Sequence, residues 1–289
     1  MGMKGIILAG GTGTRLWPIT EGVSKQLLHV HDKPMIYYPL STLMLAGIRE
    51  IAIITTEQDQ TSFKRLLGDG STLGINIEYF IQHAPNGIAE AFILCENFIG
   101  SSPVALILGD NIFHGQGVGR NLRNFSDPRG AHIFAYQVNN PQDFGVVVLN
   151  EDLSPVDIVE KPNNNPSNLA VPGLYFYNSE VSKMAKSVKR SKRGELEITS
   201  LNLMYLDNKS LEVSVLSRGT AWFDGGTVKA LHEATSYIKS IEERQGQKVG
   251  CIEEISWRNK WITDKDLKNK AEKYQNNEYG SYLNSLLNN

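Results

Sequence analysis

Cysteine is scarce: Cys95 and Cys251 are the only two in 289 residues. They form no CxxC pair and no ligand cluster, which excludes a thiolate metal centre and a dithiol redox motif. Two buried thiols are expected, a pattern that fits a reducing cytoplasm. An excess of one charge is also missing. Lys and Arg total 29 against 31 Asp and Glu, for a net charge of -2. Bulk electrostatics therefore recommend neither a nucleic acid nor a membrane as partner, and an anionic substrate has to be held by local positive groups. No apolar run approaches the roughly 18 residues of a membrane span, and the one at the N-terminus is too short for a signal peptide. No targeting or spanning segment is expected. Internal repeats and low-complexity tracts are not evident. Two common nucleotide motifs are missing as well, the G-x-x-x-x-G-K-[ST] phosphate loop and the G-x-G-x-x-G dinucleotide fingerprint.

What is present begins at the first strand. The apolar run Ile6 to Leu8 reads as a buried strand. The turn Gly10-Gly11-Thr12-Gly13-Thr14 follows at once, and Arg15 comes after it. Its glycines permit positive φ and close approach to a ligand. Successive N–H groups in such a turn form an anion nest, and the Arg15 fork suits phosphate. The same pattern also serves as a plain tight turn. Lys25 lies just past the loop, either solvated or covering a phosphate.

The rhythm to about residue 108 is strand, helix, strand, helix, strand, which predicts a parallel sheet with helices on both faces. Pro34 suits the first turn of a helix running to about Ala46. Strands are expected over Ile51 to Ile54 and Ile75 to Phe80, with a helix from about Thr61 to Leu67 between them. Gln82 to Glu90 is a polar turn before a helix that continues to about Glu96. Gln82 there offers a donor and an acceptor suited to a base edge. Val104 to Leu108 is a strand ending in Gly109-Asp110-Asn111. A carboxylate at that end, facing a phosphate turn, is where Mg²⁺ needs one; a turn-forming Asp is the other reading. From Ala131 onward, strands joined by short turns suggest an antiparallel or mixed extension. Pro162 biases Lys161 towards extended backbone, which would send Glu160 and Lys161 to opposite faces unless the local backbone turns to aim both at the cleft, one at sugar hydroxyls and the other at a phosphate. Asp224 sits in a Gly-flanked turn before a helix from about Thr227 to Glu243. The carboxyl third is helical, with Trp257, Trp261 and Tyr274 as packing aromatics.

Assembled, these stretches resemble the bacterial glucose-1-phosphate thymidylyltransferases, a group within the sugar-1-phosphate nucleotidylyltransferases. The matching segments are Leu8 to Leu16, Ser24 to Leu28, Asp32 to Leu40, Gly109 to Phe113, Glu160 to Pro162, Arg193 to Thr199 and Arg244 to Gly246. The resemblance runs from the first strand to about Ile262. His29, His31, Ile88, Glu90, Gly225 and Ile252 stand where Pro, Tyr, Leu, Gln, Thr and Pro are usual.

The resemblance implies an α/β fold. Its core is a Rossmann-like mixed central sheet flanked by helices, with an inserted sugar-binding region. That core would span 1–240, followed by a helical C-terminal part over 241–289. It also implies the reaction dTTP + α-D-glucose 1-phosphate giving dTDP-glucose and pyrophosphate, with Mg²⁺. Leu8, Gly10, Gly11, Thr12, Gly13 and Thr14 would hold the nucleotide, with Gln82 and Gly87 reading the base. Arg15, Lys25 and Lys161 would be catalytic, and Asp110 and Asp224 would hold the metal. Asn111, Gly145, Glu160, Val171 and Tyr175 would line the sugar pocket. The resemblance further implies a homotetramer with a second, regulatory nucleotide site, to which Gly115, Arg218 and Arg258 correspond.

Overall fold

The structure, a computed structural model, describes residues 2–11, 13–116 and 118–288. Fourteen strands and ten α-helices alternate along it. In chain order β1 is Lys4–Ala9, β2 His29–Val30, β3 Lys33–Pro34, α1 Tyr37–Leu45, β4 Glu50–Thr55 and α2 Gln60–Leu67. Next come β5 Asn76–Ile81, α3 Glu90–Leu94, α4 Glu96–Ile99, β6 Val104–Leu108, β7 Asn111–His114 and β8 Ala131–Gln137. They are followed by β9 Gly145–Leu149, β10 Pro155–Glu160, β11 Leu169–Ala170, β12 Leu174–Tyr177, α5 Val181–Ser187 and α6 Ile198–Asp207. The chain ends with β13 Leu211–Val215, β14 Ala221–Asp224, α7 Val228–Gln245, α8 Ile252–Arg258, α9 Asp264–Lys273 and α10 Glu278–Leu286.

A ten-stranded sheet organises the molecule, in the order β10-β9-β11-β8-β12-β6-β1-β4-β5, with β13 added beside β8. β6, β1, β4 and β5 run parallel. β12 enters antiparallel to both β6 and β8, so the sheet is mixed. β1 is apolar on both faces because both are covered. Ile6 packs into one core with Leu106, Ala52 and Phe92, and Ile7 into another with Ile107, Ile53 and Leu43. Both isoleucines have no exposed surface, and truncating either to Ala would cost about 2–5 kcal/mol. β1, β4, β5 and β6 all deliver their carboxyl ends to one rim of the sheet. An open parallel sheet binds ligands at that rim, where connections leave in opposite directions. Gly10, Thr56, Gln82 and Asp110 follow those four strand ends.

Local structure departs from the sequence expectations at several points. Pro34 belongs to a two-residue hairpin strand, and the helix starts at Tyr37. Met35 donates to the Leu28 carbonyl and Ile36 to that of Gln26, so both are bound to the hairpin before the helix can begin. The helix after Glu90 breaks at Cys95 into two short pieces. Asp224 is the last residue of β14, whose pairing with β7 sets Asp224 opposite Asn111. The expected buried thiols are found: both cysteines are free and buried. α7 runs through residue 240 and ends at Gly246, in the left-handed conformation that lets a helix stop. Beyond it α8, α9 and α10 pack on a small core of their own, built from Cys251, Ile262, Leu267, Leu283 and Leu286. No helix among the described residues is long and apolar enough to cross a membrane.

Candidate active site

Several clefts open along this rim, and two adjoining ones gather the charged groups. One, of about 320 Å³, is lined by Leu8, Gly10, Gly11, Lys25, Gln82, Gly87, Asp110, Glu160 and Lys161. The other, of about 650 Å³, is lined by Arg15, Lys161, Asp224 and the Tyr136–Phe144 turn. Lys161 borders both. Residues spread across more than 200 positions of sequence are thus brought together.

The glycines of the turn permit positive φ, but they do not all adopt it. Only Gly13 does, at φ 64. Gly10 instead makes room: a Cβ there would lie 3.1 Å from the Gln82 Oε1 atom. Gly11 would meet nothing. Gly13 is tied down by the Thr20 hydroxyl, which donates to its carbonyl at 2.8 Å. Thr14 begins the short helical turn that carries Arg15. Thr12, expected to hold the nucleotide, lies outside the described residues.

Lys25 is buried and forms an ion pair with Asp110. Burial pushes the Asp110 carboxyl up, but the charge and hydrogen bond of Lys25 outweigh it and hold the group below the usual 3.8. Asn111 Nδ2 donates to the other Asp110 oxygen at 3.1 Å. Asp224 is shifted the opposite way. Burial and the neighbouring Asp110 charge push it above 3.8, against the partial relief of Lys25 and Arg15. The two loops are joined by the Gly225 N–H, which donates to the Asp110 carbonyl at 2.8 Å. Gly226 leaves the space between Arg15 and Asp224 open: a Cβ there would be 2.7 Å from Arg15 Nη2 and 2.9 Å from Asp224 Oδ1. Gly225 has its own packing reason, since a Cβ would stand 2.8 Å from Met35 Cε.

Two half-buried carboxylates, one of which raises the proton affinity of the other, form a donor set for a hard divalent cation, which takes oxygen ligands. The Asp110 and Asp224 pair fits Mg²⁺ on that ground. A second acidic group, His31, Asp32 and Glu242, also has metal-ligand spacing. It is already compensated by Lys33 and Lys248, which pair with both acids.

Glu160 and Lys161 both face the first cleft, the outcome that needs a turn in the local backbone. Lys161 takes the left-handed conformation, φ 44, rather than the extended one its proline neighbour favours. Its N–H is held by the Phe144 carbonyl at 3.0 Å, and this turn re-aims the side chain. Such a conformation in a non-glycine residue costs about 1–3 kcal/mol and persists where the surroundings enforce it. Glu160 accepts from Thr199 at 2.7 Å, and Gly145, paired opposite it, lets the carboxylate lie close, since a Cβ there would be 3.0 Å from Glu160 Oε2. Tyr175 is buried; burial, then the Glu160 and Asp110 charges, push its phenol well above its ordinary value. Val171 is half-buried, its N–H bonded to the Gly145 carbonyl at 2.8 Å. Asn111 is used up internally: Oδ1 accepts from Trp222 at 2.7 Å and from Gly173 at 3.0 Å, and Nδ2 holds Asp110.

Gly87 has φ 105 and packs on the backbone of Leu196, where a Cβ would lie 2.6 Å from the Leu196 nitrogen. This contact brings the Arg193–Glu197 loop to the cleft. Sequence reasoning gave no role to Arg193 or Gln26, yet both line it. Their motifs were visible, but no single feature of either stretch says that it folds onto the rim. Away from the rim, Gly115 and Arg258 line a separate pocket of about 400 Å³, whereas Arg218 is exposed and not among its lining residues.

The matching family model is that of the nucleotidyl transferases, over residues 4–241. A glucose-1-phosphate thymidylyltransferase of Neisseria meningitidis serogroup A is 56% identical over 286 residues, 99% of each chain. One from Mycobacterium tuberculosis H37Rv is 53% identical over 285 residues, again 99% of each. Among solved structures, a UDP-glucose pyrophosphorylase complexed with UDP-glucose superimposes with a TM-score of 0.72 at 26% identity, covering 83% of this chain and 100% of the other.

Proposed function

This chain belongs to the nucleotidyl transferase family, and from that premise we propose that it joins dTTP to α-D-glucose 1-phosphate, forming dTDP-glucose and pyrophosphate. It is an enzyme of the nucleotidyltransferase class. The observation that carries the reading is one rim holding a glycine turn, two half-buried carboxylates and a ring of cations: Arg15, Lys25, Lys161 and Arg193.

The sugar phosphate arrives as a dianion, so no general base is needed. One of its oxygens attacks the α-phosphorus in line; the bond to the β-phosphate oxygen breaks and pyrophosphate leaves with the electron pair. The protein's task is positioning and charge stabilisation. Lys161 orients the attacking phosphate, and Glu160, tied to Thr199, accepts sugar hydroxyls. Gly145, Val171 and Tyr175 shape that pocket, and Asn111 holds Asp110. Gly10, Gly11 and Gly13 cradle the triphosphate, with Leu8 and Thr14 flanking it and Thr12 expected beside them. Arg15 and Lys25 offset charge on the α-phosphate and the departing pyrophosphate. Gln82 and Gly87 face the base. Asp110 and Asp224 would hold Mg²⁺, which supplies charge neutralisation at the triphosphate oxygens.

UTP is the second reading, favoured by the structural likeness to a UDP-glucose enzyme. One methyl separates the bases, a difference of only about 1–3 kcal/mol in an apolar pocket. We further propose a cytoplasmic homotetramer whose separate pocket, with Gly115 and Arg258 in its lining and Arg218 outside it, takes a regulatory nucleotide. Pyrophosphate release across a matrix of nucleoside triphosphates and sugar 1-phosphates, with and without Mg²⁺, tests the activity. Release is expected with dTTP and glucose 1-phosphate; no release in any combination would reject the enzyme reading.

A further inference from the structure

Gln82 follows β5 and is buried, 6% exposed. Its Nε2 donates to a Glu90 carboxylate oxygen at 2.7 Å and to the Gly87 carbonyl at 3.3 Å. Both partners are acceptors only. Turned over, the amide would set its oxygen against two acceptors and lose both bonds. Its polarity is therefore fixed, with Nε2 towards Glu90 and Oε1 towards Gly10, in the space that the absent Gly10 side chain leaves. No donor among the described residues reaches that oxygen.

Glu90 is itself held by a chain of fixed polarity. Asn86 Nδ2 donates to its other oxygen at 2.8 Å. Asn86 Oδ1 accepts from Arg190 at 3.1 Å. Arginine only donates and a carboxylate only accepts, so each amide between them has one orientation. The sequence Arg190, Asn86, Glu90, Gln82 ends on a bare carbonyl oxygen at the cleft.

We propose that Glu90 is a positioning residue that makes Gln82 a hydrogen-bond acceptor and so selects bases carrying an N3–H donor. Thymine and uracil have that donor. Cytosine has an unprotonated N3 acceptor in its place, which would face the Gln82 oxygen acceptor to acceptor. The inference rests on the reading above that Gln82 faces the nucleotide base.

The test is the ratio of kcat/KM for dTTP over dCTP in wild type, Glu90→Gln and Glu90→Leu, with glucose 1-phosphate. Glutamine is nearly isosteric and usual here in the resembling family, but in this chain Arg190 makes Asn86 a donor to residue 90, so a glutamine would give its oxygen to Asn86, face Gln82 with its NH2 and turn the Gln82 amide. Leucine removes the anchor. The wild-type ratio is expected to be large, and to fall about tenfold or more in both variants. A base contact made equally before and during reaction moves KM and leaves kcat in place. The dTTP loss should therefore appear in KM. A ratio is independent of the fraction of enzyme that folds, and Glu90→Gln decides if Glu90→Leu is not recovered. An unchanged ratio in an active variant overturns the proposal, as does a wild type that uses dCTP as readily as dTTP. A wild type with no turnover of any triphosphate rejects the activity first and the inference with it.

Discussion

Two clusters of acids and bases in this molecule have the same ingredients and opposite states. On the rim, Asp110 and Asp224 stand with Lys25 and Arg15. Beneath the β2–β3 hairpin, Asp32 and Glu242 stand with Lys33 and Lys248. In the second cluster every charge is matched. Lys33 reaches Glu242 at 2.8 Å, Lys248 reaches it at 3.0 Å, and both also pair with Asp32. The Val249 N–H adds a third bond to Glu242, at 2.9 Å. Burial pushes Asp32 up and Lys248 down, yet the pairing wins and leaves Asp32 below and Lys248 above its ordinary value. On the rim Lys25 is committed to Asp110, and Asp224 is left with a raised proton affinity. The paired cluster fastens the hairpin to α7. The rim cluster, in which Asp224 has no ion pair among the described residues, is arranged for charge that arrives with a ligand. Acid spacing alone does not separate them, since the paired cluster has the better three-ligand geometry.

The largest effect should come from breaking the rim. Asp224→Asn and Asp110→Asn are each expected to lower pyrophosphate release by about 100-fold or more, the scale of a lost electrostatic group at a reacting phosphate. Steady-state rates at saturating Mg²⁺ would show it. Breaking the other cluster should act on stability. Glu242→Gln leaves two ammonium groups, Lys33 and Lys248, sharing the single carboxylate of Asp32 and should cost about 3 kcal/mol, read from urea denaturation midpoints.

The acid dependence of stability sharpens the contrast, because the two shifts have opposite signs. Asp32 is displaced downward, so its contribution is complete above about 3.8 and is lost as pH falls through the lowered value. Asp224 is displaced upward. Between 3.8 and its raised value the folded protein binds more protons than the unfolded chain, so acidification through that window stabilises it. Urea midpoints against pH, in a chelator, should lose the stabilising segment in Asp224→Asn and the acid-side loss in Asp32→Asn. The smallest effect is ligand linkage. Mg²⁺ with dTTP should raise the melting temperature of wild type by a few degrees and that of Asp224→Asn by less, measurable by calorimetry.

The two clusters also differ in how far the sequence reveals them. Gly10 to Arg15 and Asp110 are conspicuous because a strand feeds each directly and the strands read from continuous apolar runs. The paired cluster is invisible, since Lys33 and Glu242 meet across 209 positions and each alone is an ordinary charged residue. The β7–β14 ribbon escaped for a related reason. Its strands are four residues each, and their pairing depends on where β12 and β6 place the intervening chain. Lys161 is the plainest local failure: the preference set by Pro162 gave way to the hydrogen bond that the Lys161 N–H donates to the Phe144 carbonyl. The parallel core, the mixed extension and the helical carboxyl third were legible because periodicity and turn residues report them locally.

The difference between the clusters is tested most directly by the rate of pyrophosphate release per folded molecule, from dTTP and glucose 1-phosphate, in Asp224→Asn and Glu242→Gln side by side. The account predicts that Asp224→Asn folds as well as wild type and turns over at about one hundredth of its rate or less, while the Glu242→Gln molecules that remain folded keep a rate close to wild type. Full turnover in Asp224→Asn, or a per-molecule loss in Glu242→Gln as deep as that of Asp224→Asn, would contradict it.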